Sequence, residues 1–150
     1  MVTRPTETLP SLYEADETAW LEAMAELIRE RRYEELDYQN LCEYLTDMAR
    51  RDRREVENRL VTLIAHVLEW KHQPRKRTRS WRATITEQRQ QLVREVARGV
   101  LRSHAEAVLS DVYGDAVELA AEETGISAKK FPAECPYALD ELLSANVLDG

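Results

Sequence analysis

The residues with the most chemical potential in this sequence are three histidines, two cysteines and many carboxylates, and their spacing matches no established site. His66 lies in the apolar run LIAHVLEW, and His72 follows six residues later, which does not place both rings on one helix face. The sequence has no H-E-x-x-H, no pair of Glu-x-x-His motifs as in di-iron bundles and no C-x-x-C. We therefore expect no metal ligands and no cofactor. A site built from His66, Glu69 and a distant cysteine is the one arrangement left open.

The remaining reactive groups also lack the partners that catalysis needs. Neither Cys42 nor Cys135 has a neighbour in sequence that would activate a thiolate. The acidic pairs at 34–35 and 122–123 are typical of solvated helix ends and do not indicate a general acid and base. Gly114 stands alone in a helical pattern, where we interpret it as allowing close helix packing. We expect no catalytic residues and a non-catalytic protein.

The basic segment LEWKHQPRKRTRSWRATI, residues 68–85, is the strongest charge feature of the chain. The protein has a net charge of −7, but residues 1–70 carry −7, residues 71–104 carry +8 and residues 105–150 carry −8. A local basic surface can therefore exist on an acidic protein. The candidate residues for binding an anion or a partner are Arg75, Lys76, Arg77, Arg79 and Arg82.

These cations lie at the wrong end of a helix for stability. Four of them precede the N-cap predicted at Ser80, and Arg82 lies in the first turn after it. Positive charge at the N-terminus of a helix opposes the helix dipole. Carboxylates such as those of Asp16, Glu17 or Glu118 could neutralise them. A bound phosphate could do the same at the helix N-terminus. We favour internal pairing or solvation, and keep nucleic-acid or phosphate binding by residues 71–82 as the alternative.

Two tryptophans, Trp70 and Trp81, stand on either side of this basic segment. Each shares the apolar stripe of its predicted helix, and an indole ring buries a large apolar area. A protein that binds single strands would combine exposed aromatic rings with a basic track. We therefore interpret both tryptophans as anchors of the core.

Composition and periodicity predict an all-α protein. The chain of 150 residues has only 4 glycines and 5 prolines and is rich in strong helix formers. The first predicted helix runs from about Ala15 to Arg31. The second follows an N-cap at Asp37 and continues through the charged run 49–59 until Pro74 ends it. Its predicted inner face carries Leu41, Leu45 and Met48.

The second half of the chain predicts two more main helices. One follows the N-cap at Ser80, with Gln88 interrupting its apolar stripe. After a turn around 99–103, another helix runs from about Ser103 to a terminal Gly125, with a hydrophobic contact from Ile126. The segment FPAECPY is irregular, and ALDELL forms a short last helix.

These elements predict an antiparallel helical bundle of about four main helices with a short C-terminal helix. At 150 residues we expect a single helical domain, 1–150. Residues 1–10 form a loose N-terminal tail, and residues 126–150 form an irregular segment and a short helix that pack on the bundle.

Three stretches together resemble the bacterial DUF29 family, whose function is unknown. They lie between about Leu12 and Leu143 and contain W-x-x-Q-P, R-S-W-R-A-T-I, E-T-G and F-P-x-x-C-P-Y, in this order. The resemblance implies an all-helical cytoplasmic protein and supplies no activity, cofactor or catalytic residue. The matching residues, for which we expect structural roles, are Trp70, Pro74, Ser80, Trp81, Cys135 and Pro136.

A complete bundle without site chemistry favours a small helical interaction protein. We expect it to act through a protein partner or as a homo-oligomer. Nucleic acid is a less favoured partner, and we expect no membrane partner because no segment approaches the roughly 20 apolar residues of a membrane span. Two widely separated cysteines and the lack of a signal-like N-terminus favour the cytoplasm.

Overall fold

The computed structural model describes residues 8–149, and within this range the chain is all-α, without a strand. The predicted fold class is confirmed. The α-helices of these residues are α1 (Leu9–Ala15), α2 (Glu17–Arg29), α3 (Tyr38–His72), α4 (Arg79–Glu95), α5 (Gly99–Thr124) and α6 (Leu139–Leu143). Short 3₁₀ turns at Tyr33–Glu35, Pro74–Lys76 and Ala128–Lys130 join some of them.

The chain divides into two compact units, with the division between Arg50 and Arg51, inside α3. The first unit contains α1, α2 and the beginning of α3. The second contains the rest of α3 and the helices α4 to α6. That residues 1–150 form a single domain stays a prediction.

The first unit is organised around Trp20, whose side chain is fully buried. The Trp20 indole N–H donates a hydrogen bond to the Asp37 carboxylate at 3.2 Å, and the Tyr13 ring packs edge-on against the indole at 4.7 Å. Tyr44 on α3 packs at 6.0 Å from the same ring. An aromatic cluster with one satisfied N–H therefore ties α1 and α3 to α2.

The helix boundaries of the first unit differ from the prediction at several positions. The predicted helix from Ala15 to Arg31 is α2, Glu17–Arg29, because Asp16 caps its first turn and Arg31 turns into the left-handed region at φ 58°. Residues 1–7 of the predicted loose tail, 1–10, lie outside the described residues. Leu9 and Pro10 belong to α1, where the proline occupies the first turn, the one part of a helix that tolerates it.

The predicted inner face of the second helix is wrong at two positions. Leu45 is 60% exposed and Met48 is 37% exposed, although both fit the helical period. Periodicity reports which residues share a face, and it does not report whether anything covers that face.

Helix α3 is continuous through the charged run 49–59, as predicted, because no glycine or proline interrupts it. It ends at His72, ahead of Pro74. In the second unit its buried residues join a core to which α4, α5, α6 and the C-terminal segment all contribute. Members of this core include Val56, Leu60, Leu63, Ile64, Leu68, Ile85, Leu92, Ala116, Phe131, Leu139 and Leu142.

The start of α4 corrects the role predicted for Ser80. Thr78 is the N-cap, and its hydroxyl accepts a hydrogen bond from the Trp81 N–H at 3.1 Å. Ser80 lies inside the first turn because only Thr78 has the extended backbone (φ −130°, ψ 161°) that a cap needs. The two residues are both good cap formers, so residue type alone does not choose between them.

The glycines of α5 give a mixed result. The turn predicted around 99–103 lies earlier, at 96–98, and α5 already begins at Gly99. Gly114 is exposed, and a Cβ built there meets no atom within 4 Å, so the predicted close packing is wrong. Gly125 ends the helix at φ 75°, as predicted, and Ile126 packs against the core.

Among residues 8–149, no helix combines the length and the apolar character needed to cross a membrane.

Candidate functional site

One imidazole and two carboxyl groups come together in the second unit, from the partly buried His66, the buried Glu69 and the exposed Glu123. His66 and Glu69 lie one turn apart on α3, and Glu123 lies near the end of α5. His66 Nε2 is 4.0 Å from Glu69 Oε2 and 3.8 Å from Glu123 Oε2. One ligand-type atom from each residue lies within 4.8 Å of the others. We call these three residues the acid–histidine cluster.

Glu69 is the buried member of this cluster, with a side chain only 7% exposed. Burial, together with the hydrogen bond and the charge of Glu123, raises the pKa of Glu69 to about 8. At neutral pH the Glu69 carboxyl therefore holds a proton. Its Oε1 atom is buried and has no hydrogen-bond partner among the described residues, which leaves a polar atom desolvated without compensation.

A hydrogen bond with Gln88 on α4 fixes the orientation of the His66 ring. Its Nδ1 lies 3.0 Å from Gln88 Oε1, an atom that can only accept, so Nδ1 carries the proton in this contact. The neutral ring then presents the lone pair of Nε2 to the two carboxyl groups. Gln88 interrupts the apolar stripe of α4, and its contact with His66 gives the physical reason for a polar residue at that position.

The acid–histidine cluster can bind a cation or exchange a proton. The open arrangement with His66, Glu69 and a distant cysteine has its first two members in place, but the third group comes from Glu123 on α5. The sequence signal was present as His-x-x-Glu at 66–69, the reverse order of the Glu-x-x-His pattern of di-iron bundles. The contribution of Glu123, 54 residues further along the chain, has no local signature.

A second polar group lies on the same unit around Arg59. Its guanidinium pairs with Glu55 and Glu95, each at 2.8 Å, and also contacts Gln91 on α4. Burial raises the pKa of Glu95, and the Arg59 charge opposes this effect. All of these contacts are between α3 and α4 or within α3, so this group fastens the two helices together.

Two arginines of the basic segment, Arg77 and Arg82, make contacts within the fold. Arg77 Nε donates to the Trp70 carbonyl oxygen at 2.9 Å, and its guanidinium lies over the Trp70 ring at 5.0 Å. Arg82 pairs with Asp149 at 2.9 Å and lies 6.0 Å from the same ring. The carboxylate that meets this segment is therefore Asp149 and not one of those named from the sequence.

The other candidate cations of this segment remain at the surface. Arg75, Lys76 and Arg79 are exposed and form no ion pair with any residue in the range 8–149. Arg79 and Arg82 line a shallow surface pocket of about 360 Å³ on α4. Pro74 opens the 3₁₀ turn that displays Arg75 and Lys76.

Both tryptophans that flank the basic segment pack together. Trp70 is 6% exposed, Trp81 is partly buried against the core, and their rings meet edge-on at 5.2 Å. The rings pack together at the junction of α3 and α4, where each adds apolar contact area.

Cys135 and Pro136 belong to the irregular segment between α5 and α6. The Cys135 thiol donates to the Tyr137 carbonyl oxygen at 3.3 Å, and burial raises its pKa, which disfavours a reactive thiolate. Tyr113 on α5 donates to the Pro132 carbonyl oxygen at 2.5 Å and holds the same segment. This part of the chain is a structural attachment.

An exposed apolar stripe runs along the beginning of α3, in the first unit. Tyr38, Cys42, Leu45 and Ala49 follow one another at intervals of four, three and four residues, and all four are exposed. Tyr38 is 58% exposed and Leu45 is 60% exposed. We call these four residues the apolar stripe.

Comparison with known proteins identifies the family of this chain but no individual relative. No curated protein and no solved structure matches the chain. The sequence model of one family, described as domain of unknown function DUF29, matches residues 12–148. Because this match spans nearly all of the 150 residues, the chain belongs to the DUF29 family.

Proposed function

We propose that this protein is a non-catalytic interaction protein that self-associates through the apolar stripe of α3. The observation that carries the proposal is the exposure of Leu45, 60% of a large aliphatic side chain in the middle of a regular helix. Of the six large hydrophobic residues that are most exposed among the described residues, five lie between Ile28 and Met48. Such a concentration of apolar surface is typical of an interaction site.

The spacing of the apolar stripe suits a helix as the partner. Intervals of four and three residues place apolar side chains on the seam of a two-helix coiled coil. A helix that docks along α3 would cover all four residues at once.

A second copy of this chain fits the stripe by size. In an antiparallel pair with its two-fold axis between Cys42 and Leu45, each Leu45 meets the smaller Cys42 of the other copy, and each Tyr38 meets the small Ala49. In this register the four stripe residues cover one another, and none of them faces the fully buried Val56 further along α3.

Sedimentation equilibrium over a range of protein concentrations tests this proposal. We expect a monomer–dimer equilibrium that Leu45→Glu weakens at least tenfold, because the dimer would bury an unpaired carboxylate. Asn58→Glu is the matched control, since it adds the same charge to an exposed position of α3 that lies beyond the stripe, in the second unit. A strictly monomeric protein, or equal effects of both substitutions, would contradict the proposal.

Cross-linking tests the direction of the pair. In a Cys42→Ser background, a mixture of Tyr38→Cys and Ala49→Cys proteins should form the mixed disulfide, because these positions face each other in the antiparallel pair. Preferential self-coupling of Ala49→Cys would indicate a parallel pair instead and would contradict the antiparallel arrangement.

The second candidate function is binding of nucleic acid or another phosphate-bearing ligand by the basic segment. The observation in its favour is that Arg75, Lys76 and Arg79 are exposed without an ion pair among residues 8–149, beside the pocket that Arg79 and Arg82 line. Arg77 and Arg82 already contact Trp70, and Arg82 also pairs with Asp149. This candidate ranks second because two of its five cations already serve the fold.

A gel-shift titration across salt concentrations tests this second candidate. We expect the double variant Arg75→Gln/Lys76→Gln to weaken binding and to lower the salt slope by about two. The matched control is Lys129→Gln/Lys130→Gln, an adjacent exposed pair on another turn. Absence of binding at low salt, or equal effects of the two double variants, would remove this candidate.

We also propose a bacterial cytoplasmic location. The family resemblance and two free cysteines, one of them exposed, support a reducing compartment. Detection of the protein in a periplasmic or secreted fraction would contradict it.

A further inference from the structure

We propose that the acid–histidine cluster binds a divalent first-row transition-metal ion such as Zn²⁺, with His66 Nε2 and the carboxylates of Glu69 and Glu123 as ligands. The proposal is independent of self-association, because the cluster lies in the second unit and the apolar stripe lies in the first. It rests on the distances between the ligand atoms, on an unsatisfied buried oxygen and on the tautomer of the histidine.

The distances between the three side chains suit a small ion after a minor adjustment. Zinc bonds to nitrogen and carboxylate oxygen are about 2.0–2.2 Å long, so two ligand atoms in a tetrahedral site lie roughly 3.4 Å apart. The observed separations from His66 Nε2 are 3.8 Å and 4.0 Å. Glu123 is 43% exposed at its side chain and is the ligand most free to move inward.

Glu69 supplies the independent observation. Its side chain is 7% exposed, and its Oε1 atom has no hydrogen-bond partner among the described residues. Such a buried oxygen costs free energy unless a donor or a cation reaches it. A cation held by both oxygens of the Glu69 carboxylate would reach Oε1 as well as Oε2, and its two positive charges would balance the charges of Glu69 and Glu123.

His66 is already in the form that a metal requires. Metal-binding histidines usually donate their second ring N–H to an oxygen, which fixes the tautomer and the orientation of the ring. The contact of His66 Nδ1 with Gln88 Oε1 at 3.0 Å has this arrangement. Gln88 is therefore a positioning residue for the proposed site.

The donor set selects the class of ion. One imidazole with two carboxylates favours zinc or a neighbouring first-row metal over Mg²⁺ or Ca²⁺, which prefer oxygen ligands alone. Affinities of a given site for first-row divalent ions rise from Mn²⁺ to Cu²⁺ and fall again at Zn²⁺, which still binds more tightly than Mn²⁺. We therefore expect Zn²⁺ to bind more tightly than Mn²⁺, with no saturable binding of Mg²⁺ at the same concentrations.

Titration of the 150-residue chain with Zn²⁺ tests the proposal. A Cys42→Ser background removes the exposed thiol as a competing ligand, and a chelator first removes any bound metal. Calorimetry should give one Zn²⁺ per chain, and Co²⁺ should develop visible absorption bands from a nitrogen–oxygen site. We expect His66→Gln and Glu123→Gln to weaken Zn²⁺ binding at least tenfold, and Gln88→Leu to weaken it about 10- to 100-fold through the lost hydrogen bond.

Glu122→Gln is the matched control, because Glu122 is the exposed neighbour of Glu123 on α5 and lies outside the cluster. We expect it to bind Zn²⁺ as the parent does. Absence of saturable Zn²⁺ binding would overturn the proposal, as would unchanged affinity in both Glu123→Gln and His66→Gln. If circular dichroism shows that His66→Gln does not fold, Glu123→Gln decides alone, since its half-exposed side chain carries little of the packing.

Discussion

At the scale of single residues, Glu69 is the most unusual group of the described chain, since it is the one acidic or basic side chain counted among the buried residues. None of the charges that shift its pKa comes from a Lys or Arg among the described residues. The carboxyl group is instead next to a second carboxyl group and an imidazole. An acid in such a place is stable in its protonated form, or with a cation that replaces the proton.

We predict that Glu69 makes the metal-free protein less stable as the pH rises. The pKa is about 8 in the folded state against an ordinary 4.5, so the folded state holds a proton that the unfolded state has lost. The free energy of unfolding should be unaffected by this group below about pH 4.5, fall between 4.5 and 8, and then level off. For a buried group the loss is on the order of a few kcal/mol.

Urea unfolding at several pH values, in the presence of a chelator, measures this effect. Glu69→Gln keeps the shape of the side chain and cannot ionise, so the difference between the two proteins isolates the contribution of Glu69. We expect the variant to be the more stable protein at pH 8. A difference that does not change between pH 4.5 and 8 would show that the Glu69 pKa is not raised.

The basic segment also has an explanation at the residue scale. Its cations oppose the dipole of α4, but the same turn follows the C-terminal end of α3, where positive charge is favourable. His72 Nδ1 donates to the Leu68 carbonyl oxygen at 2.8 Å, and Arg77 donates to that of Trp70. The Trp70 carbonyl is one of the last four of α3, which the end of a helix leaves unpaired, and Arg77 therefore satisfies it.

At the scale of elements, two glycines of α5 differ in whether their positions require a glycine. The position of Gly114, within the helix, does not require one, whereas the position of Gly125, at its end, does. Gly114 is exposed in the middle of the helix, with open space where a Cβ would lie. Gly125 has a φ of 75°, which a residue with a Cβ adopts only with strain.

We predict opposite effects for the same substitution at these two positions. Gly114→Ala should stabilise the protein by about 0.5–1 kcal/mol, because alanine restricts the unfolded chain and fits the helix. Gly125→Ala should destabilise it by about 1 kcal/mol, because the left-handed conformation is unfavourable for alanine. Thermal and urea unfolding of both variants measure the effects, and a loss of stability in Gly114→Ala would show that close packing at this position does occur.

The elements also show how far sequence reasoning reaches. Helix α3 could be predicted through 49–59 because helix propensity and the absence of breakers are local properties. The choice of Thr78 over Ser80 as the cap could not, because it depends on backbone angles at the turn. The ion pair of Arg82 with Asp149 joins residues 67 apart in sequence, and no local pattern reports it.

At the scale of the whole molecule, the principal hydrophobic core contains residues from Val56 to Leu148 only. All of them belong to the second unit. The buried hydrophobic residues of the first unit, within the described chain, are Trp20 and Met24. The two units therefore have very different amounts of buried apolar surface with which to offset the entropy of folding.

We predict that a fragment of residues 51–150 folds on its own and that a fragment of residues 1–50 does not. The first retains every member of the principal core, whereas the second retains two buried hydrophobic residues. Circular dichroism with urea unfolding should show a cooperative transition for the longer fragment. A non-cooperative transition for 51–150 would show that its core depends on residues before Arg51.

Sequence periodicity could identify the apolar residues of α3, but it could not tell which of them are buried and which are exposed. Leu45 and Leu60 occupy equally regular apolar stripes, yet Leu45 is 60% exposed and Leu60 is fully buried. The difference depends on whether another helix covers the residue, and that is a property of the tertiary structure. The same limit applies to the acid–histidine cluster, which exists only because α5 brings Glu123 to α3.

The distribution of the three tryptophans gives each unit its own optical reporter. Trp20 is the tryptophan of the first unit, and Trp70 and Trp81 belong to the second. The emission of a Trp20→Phe protein would come from the second unit alone, and a protein with phenylalanine at 70 and 81 would report the first. The order in which the two units lose their structure can therefore be followed in the intact chain by fluorescence, without a label.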